Sequence, residues 1–195
     1  MKAPAVMAVV VPIKSFGLAK ARLTDVLTPP ERRQLAIRCA EAVLAAARPL
    51  PVYVVCDDVE VAEWATAHNA TIVVPPEPGL NAAVAAGRTA AERAGHGRVL
   101  VVHSDLPNAQ TLASLGDIPA AVVVVPDRHG DGTNALLLPS EGAFNFQYGP
   151  GSSTAHAAEA TRLGLTCQVV ARPDLALDLD TFDDLRVGGF TNLRP

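Results

Sequence analysis

Short, continuous apolar runs recur along this chain, separated by helix-length amphipathic stretches, and that alternation leaves few folds open. The runs "AVMAVVV" (5–11), "PVYVVC" (51–56), "TIVVP" (71–75), "RVLVVH" (98–103), "AAVVVVP" (120–126), "ALLLP" (135–139) and "TCQVVA" (166–171) all have strand length and little polar content, as strands buried on both faces do. Between them stand helical patterns. "TPPERRQLAIRCAEAVLAAA" starts with Thr28, two prolines and Glu31 in capping-box spacing, and carries Ala36, Ala40, Val43 and Ala47 on one stripe. "DDVEVAEWATAHN" opens on a carboxylate cap, "GLNAAVAAGRTAAERAG" is alanine-rich enough for close packing, and "GPGSSTAHAAEATRLG" is led by glycines. "DTFDDLRV" is a short final helix. Strands alternating with helices of this length predict βαβ units. The expected fold is a single α/β domain over residues 1–195, doubly wound, with a mainly parallel sheet and helices on both faces.

Such a sheet binds ligands outside the carboxyl ends of its strands, so the polar segments at those ends are the place to look for chemistry. Composition limits what they can bind. A formal net charge of −4 argues against a broad nucleic-acid surface, though not against one small basic pocket. With only 4% aromatic residues the core must be aliphatic. Three widely spaced cysteines, Cys39, Cys56 and Cys167, make neither a disulfide framework nor a zinc site and suit a reducing cytoplasm. The first apolar run is interrupted by Pro12 and Lys14, too soon for a membrane span. The expectation is therefore a cytoplasmic protein with neither nucleic acid nor membrane as a partner.

Of 16 basic residues only three are lysines, and all lie in the first 20 positions. Lys14, Lys20 and Arg22 follow the first strand within nine residues, a cluster suited to a di- or triphosphate. The loop has neither G-x-x-x-x-G-K-[ST] nor G-x-G-x-x-G, so it is not a P-loop or a dinucleotide fingerprint. Asp105 of "SDLP" follows a buried strand, where it either caps the next segment or holds Mg²⁺ beside phosphates. "LALDLDTFDDL" offers Asp178 and Asp180 at period two, ahead of a helix capped by Thr181 or Asp180. One aspartate after a mid-sheet strand and one near the end are the usual supply for a phosphate-bound Mg²⁺. Gly149, Gly151 and Ser152 form a helix mouth able to bind phosphate or carboxylate. Gly79, Leu80 and Asn81 form another. His103, His129 and His156 have no ligand spacing and read as polar or core residues. In the bend "PDRHGDGTN", Asp127 and Arg128 are expected to pair with each other.

"VPIKSFGLAKARL", "GLNAA", "SDLP", "PDRHGDGTNALL", "FNFQYGPGSSTAH" and "LDLDTFDDL", in this order, resemble the phosphoenolpyruvate/2-phospho-L-lactate guanylyltransferases of coenzyme F(420) biosynthesis. The likeness spans nearly the whole chain. It implies a nucleotide-diphosphosugar-transferase-like fold and transfer of GMP from GTP to a small phosphorylated three-carbon acid, with release of pyrophosphate. With phosphoenolpyruvate the product is enolpyruvyl-diphospho-5′-guanosine; 2-phospho-L-lactate and 3-phosphoglycerate are the alternative acceptors. Thr133, Gly149 and Ser152 match the family's acceptor-binding positions. Asp105 and Asp180 match its metal-binding aspartates, with Asp178 a second claimant beside Asp180. On this reading Mg²⁺ is the cofactor, Lys14, Lys20 and Arg22 stabilise the leaving pyrophosphate, and Gly79, Leu80 and Asn81 line the guanine or ribose pocket. The labile product implies a hand-off to a downstream transferase. The rival readings are nucleotidyl transfer to a molybdopterin or sugar phosphate, and a guanine-nucleotide-binding protein without catalysis.

Overall fold

The computed structural model describes residues 7–190. Seven strands form one sheet: β1 (Met7–Pro12), β2 (Val52–Val55), β3 (Thr71–Val73), β4 (Arg98–Val102), β5 (Val122–Pro126), β6 (Thr133–Pro139) and β7 (Cys167–Val169). The first strand, read from Ala5 in the sequence, begins at Met7; Ala5 and Val6 lie outside the described residues. Six α-helices accompany the strands: α1 (Pro29–Ala47), α2 (Val59–Ala67), α3 (Leu80–Arg93), α4 (Ser152–Arg162), α5 (Pro173–Ala176) and α6 (Phe182–Val187). None is long and apolar enough to cross a membrane.

The strand order is β3-β2-β1-β4-β6-β5-β7. Pairs β1–β2, β2–β3, β1–β4 and β5–β7 are parallel. The sheet is nevertheless mixed, because β6 runs antiparallel to both β4 and β5. The short bend between β5 and β6 leaves no room for a crossover helix, so the two strands form a hairpin instead of a βαβ unit. The register shifts between Val125 and Pro126, where the bend begins.

Alternation along each strand sends residues to two cores. Val9, Val11, Leu100 and Val123 pack under α1 and α2 with Ala36, Ala40, Val43, Val61 and Ala65. Ala8, Val10, Val99, Val124 and Leu136 face Val84 and Ala91 of α3 and Ala160 of α4. α3 lies unusually close to the sheet. A Cβ on Gly87 would overlap the side chains of Val10 and Val55, so glycine is required there. The backbone N–H of Thr28 donates to Glu31 at 2.7 Å, closing the start of α1. Asp58 caps α2 by accepting from Val61 N–H at 3.0 Å.

A third, smaller cluster joins the two ends of the fold: Leu23 and Leu35 with Cys39, Leu177, Leu179 and Leu185. Burying a leucine contributes about 1.5–3 kcal/mol. Leu177 and Leu179 therefore anchor the chain on either side of Asp178, and Leu179 N–H donates to the Asp105 carbonyl at 3.2 Å. This small cluster carries the late aspartates to the end of β4.

Candidate active site

Strand order reverses between β1 and β4, the crevice where open α/β sheets take ligands. The loop after β1 supplies Lys14 and Lys20; the segment after β4 supplies Asp105. Lys20 Nζ lies 2.9 Å from Asp105 Oδ2 and 3.3 Å from Asp180 Oδ1. Its side chain is 5% exposed. Burial alone would lower the Lys20 pKa, but Asp105 and Asp180 outweigh it and hold the ammonium above its usual value. For Asp105, burial would raise the carboxyl, and the neighbouring Lys20 and His103 bring it below the ordinary range. Lys20 also stands in the left-handed backbone region at φ 58°, a conformation non-glycine residues adopt where surroundings enforce it. Arg22 is more loosely held, 3.7 Å from Asp180 and 75% exposed. Lys14 is exposed and makes no ion pair among the described residues.

Asp178 completes a triad with Asp105 and Asp180: one oxygen from each carboxylate lies within 4.8 Å of the others. Burial pushes the Asp178 carboxyl up, and Asp105 and Asp180 add to the shift. Asp105 Oδ1 is buried without a hydrogen-bond partner among the described residues. Three carboxylates brought together, one of them with an oxygen that lacks a hydrogen-bond partner, are a donor set that fits a hard divalent cation.

Two cavities open on either side of the Ile13–Lys14 segment after β1. One, of about 210 Å³, is lined by Lys14, Ser15, Lys20, Ser104, Asp105 and Asp180 among others. The second, of about 340 Å³, lies over the ends of β1 and β2, where Pro12, Cys56, Asp57, Pro78, Gly79 and Leu80 contribute to its wall. Ile13 and Lys14 border both. Gly79 and Leu80 lie in the wall of this second cavity. Asn81 turns elsewhere: its side-chain carbonyl accepts Tyr148 N–H at 2.8 Å.

Thr133, Gly149 and Ser152 line neither cavity. Thr133, at the start of β6, and Ser152, at the start of α4, are each 1% exposed. The Thr133 hydroxyl lies 3.0 Å from His156 Nδ1. Gly149 is exposed at φ 139°, with no atom within 4 Å of a built Cβ. The two sides of the cleft are joined by Asn134, whose amide donates to the carbonyls of Leu175 and Ala176 and approaches Asp178 Oδ1 at 3.5 Å.

The expected Asp127–Arg128 pair does not form. Asp127 instead accepts the backbone N–H groups of His129, Asp131 and Gly132 at 2.8–3.0 Å and closes the bend on itself. Arg128 reaches across to Asp183 and Asp184, each at 2.8 Å. Neighbours in sequence point apart in such a turn, and a carboxylate at its start is better used on the unpaired N–H groups it encloses. Asn134 and His156 are the site-forming residues that sequence reading left out. The available signal was helical spacing: Ser152, His156 and Glu159 share the inner stripe of α4.

The fold is one that nucleotidyltransferases share. A structure described as a nucleotide-diphospho-sugar transferase, from Desulfovibrio desulfuricans, superposes with a TM-score of 0.75 at 17% identity, covering 95% of this chain and 87% of that one. A nucleotidyl transferase from Methanothermobacter thermautotroptrophicus superposes with a TM-score of 0.64 at 16% identity over 95% and 97% of the two chains. More narrowly, residues 7–187 match the family described as "Guanylyl transferase CofC like", and the chain belongs to that family of guanylyl transferases. A relative named phosphoenolpyruvate guanylyltransferase, from Rubrobacter xylanophilus, is 40% identical over 185 residues, 90% of each chain. Another of the same name, from Chloroflexus aggregans, is 35% identical over 190 residues, 91% of this chain and 94% of that one.

Proposed function

We propose that this protein transfers GMP from GTP to phosphoenolpyruvate, giving enolpyruvyl-diphospho-5′-guanosine and pyrophosphate in coenzyme F(420) biosynthesis. A phosphate oxygen of the acceptor forms a bond to the α-phosphorus of GTP, and the bond from that phosphorus to the β-phosphate oxygen breaks. The acceptor is already an anion near neutral pH, so no protein base is required. The burden is to bring several anions together, which is work for positioning and charge. The observation that carries the reading is the packing of Asp105, Asp178, Asp180 and Lys20 into one group at the strand-order reversal.

In this reading Asp105 and Asp180 hold Mg²⁺, with Asp178 beside them. The ion supplies charge neutralisation at the α-phosphate. Lys20 keeps the carboxylates together, while Lys14 and Arg22 meet the departing pyrophosphate. The larger cavity, with Gly79 and Leu80 in its wall, takes the guanosine. The bend before β6 and the Gly149–Ser152 helix mouth take the phosphate and carboxylate of the acid. The three free cysteines suit the cytoplasm, and the labile product passes to a downstream transferase.

The test is pyrophosphate release from GTP and Mg²⁺ with phosphoenolpyruvate, 2-phospho-L-lactate or 3-phosphoglycerate, each with and without the downstream transferase. Release with phosphoenolpyruvate alone supports the proposal. Release only with another acid replaces the acceptor and keeps the chemistry. Silence in every arm overturns it.

A further inference from the structure

His156 is completely buried on the inner face of α4, and its two ring nitrogens meet two different segments. Its Nε2 accepts the backbone N–H of Gln147 at 3.1 Å, and its Nδ1 lies 3.0 Å from the Thr133 hydroxyl. A backbone N–H only donates, so Nε2 must present its lone pair. The ring proton then belongs on Nδ1 and is donated to Thr133 Oγ1, which leaves the hydroxyl's own hydrogen to point away from the ring. Burial, helped by the neighbouring His103, lowers the His156 pKa to about 4, so the ring stays neutral where an enzyme works.

The segment that receives His156 is an extended strap outside the sheet, held from behind at successive N–H groups. Asn145 N–H donates to Glu159 Oε1 at 2.9 Å, Gln147 to His156, and Tyr148 to Asn81 Oδ1 at 2.8 Å. The next residue is Gly149. Tyr148 packs edge-on against His156 at 4.7 Å between ring centres. One imidazole therefore fixes both the start of β6 and the strap that delivers Gly149.

We propose that His156 is a positioning residue for the transfer: as the Nδ1–H tautomer it locks Thr133 to the Gln147–Gly149 strap and so sets the wall against which the phosphorylated acid is held. This rests on the acceptor placement proposed above. Glu159 and Asn81 secure the ends of the strap, and His156 links it by hydrogen bonds to Thr133 of β6, on which Phe144 and Phe146 also pack through Leu136 and Leu138.

Four variants and one spectrum test it. Asparagine at 156 places its amide near Nδ1 and keeps the link to Thr133; glutamine reaches the Nε2 position and keeps the link to Gln147. His156→Gln is expected to raise the acceptor KM about tenfold with the GTP KM unchanged, and to match Thr133→Val. The double variant should be no worse than the worse single one, because both remove the same link. His156→Asn should keep the Thr133-dependent part of acceptor binding, with a smaller rise. Additive effects in the double variant, or parallel rises in both KM values, would overturn the proposal.

Nitrogen-15 NMR of the free wild-type protein reads the tautomer without any substrate. Protonated Nδ1 with bare Nε2 is expected, and the reverse tautomer would overturn the clamp even in an active enzyme. Absence of turnover with all three acids, with the tautomer as stated, would sink the acceptor placement separately.

Discussion

On the β1–β4 side of the cleft the groups are charged and come from three distant segments: Lys20 after β1, Asp105 after β4, and Asp178 and Asp180 before α6. On the β6–α4 side the groups are neutral and close in sequence: Thr133, His156 and Ser152, which are buried, and the strap before Gly149. The first side is poised around mutual charge and has an unpartnered carboxylate oxygen. In the second, the Thr133 hydroxyl, both His156 nitrogens and the N–H groups of Gln147 and Tyr148 are engaged in hydrogen bonds. Each suits what it has to hold. In the proposed function the first side would take a triphosphate with a cation, which needs strong charge, and the second a small acid, which needs a rigid wall that distinguishes shape.

The comparison is broken most directly at Asp105. Asp105→Asn should lower kcat by roughly 10³-fold while the circular dichroism spectrum stays native; retained activity would remove Asp105 from the charged half. Lys20→Met comes next. It leaves two partly buried carboxylates facing each other and should cost about 3 kcal/mol in denaturant unfolding. Mg²⁺ should then stabilise the variant more than the wild type; equal stabilisation of both would show that the carboxylates do not share a cation.

The neutral half is probed by pH. The His156 pKa is depressed to about 4 in the folded protein, so between pH 6.5 and 4 the unfolded chain binds more protons and stability rises with pH. Going from pH 7 to pH 5 should cost the wild type about 2 kcal/mol that His156→Asn does not lose; equal slopes would mean that His156 titrates normally. The smallest effect is expected at Gly149, where alanine must adopt φ 139°. Gly149→Ala should cost about 1 kcal/mol in stability and raise the acceptor KM before the GTP KM. A GTP-selective rise would place Gly149 on the charged side.

The layout of strands and helices was legible because it is written in local patterns: continuous apolar runs, the Thr28–Glu31 cap and the alanine stripes all became the elements they suggested. The late aspartates were legible for the same reason, since Leu177-Asp178-Leu179-Asp180 alternates buried and available positions. What distance in the chain conceals was not. Nothing local says that β6 turns back between β4 and β5, that Arg128 crosses to Asp183, or that the Lys20 ammonium is held by carboxylates 85 and 160 residues away. His156 reads as a core histidine and is one; its second role depends on Gln147 and Thr133 meeting its two nitrogens from opposite sides.

The small leucine cluster of Leu23, Leu35, Cys39, Leu177, Leu179 and Leu185 also sets an order of events. All seven strands of the described residues lie before residue 170, so the segment with Asp178 and Asp180 is the last part of the site to be made. Until Leu177 and Leu179 arrive to fill the gap beside Leu23, Asp105 and Lys20 have only each other. The strand segments are therefore complete in the sequence before the acidic set is, and a chain cut near residue 175 would keep all of them while lacking Asp178, Asp180 and the leucines that seat them.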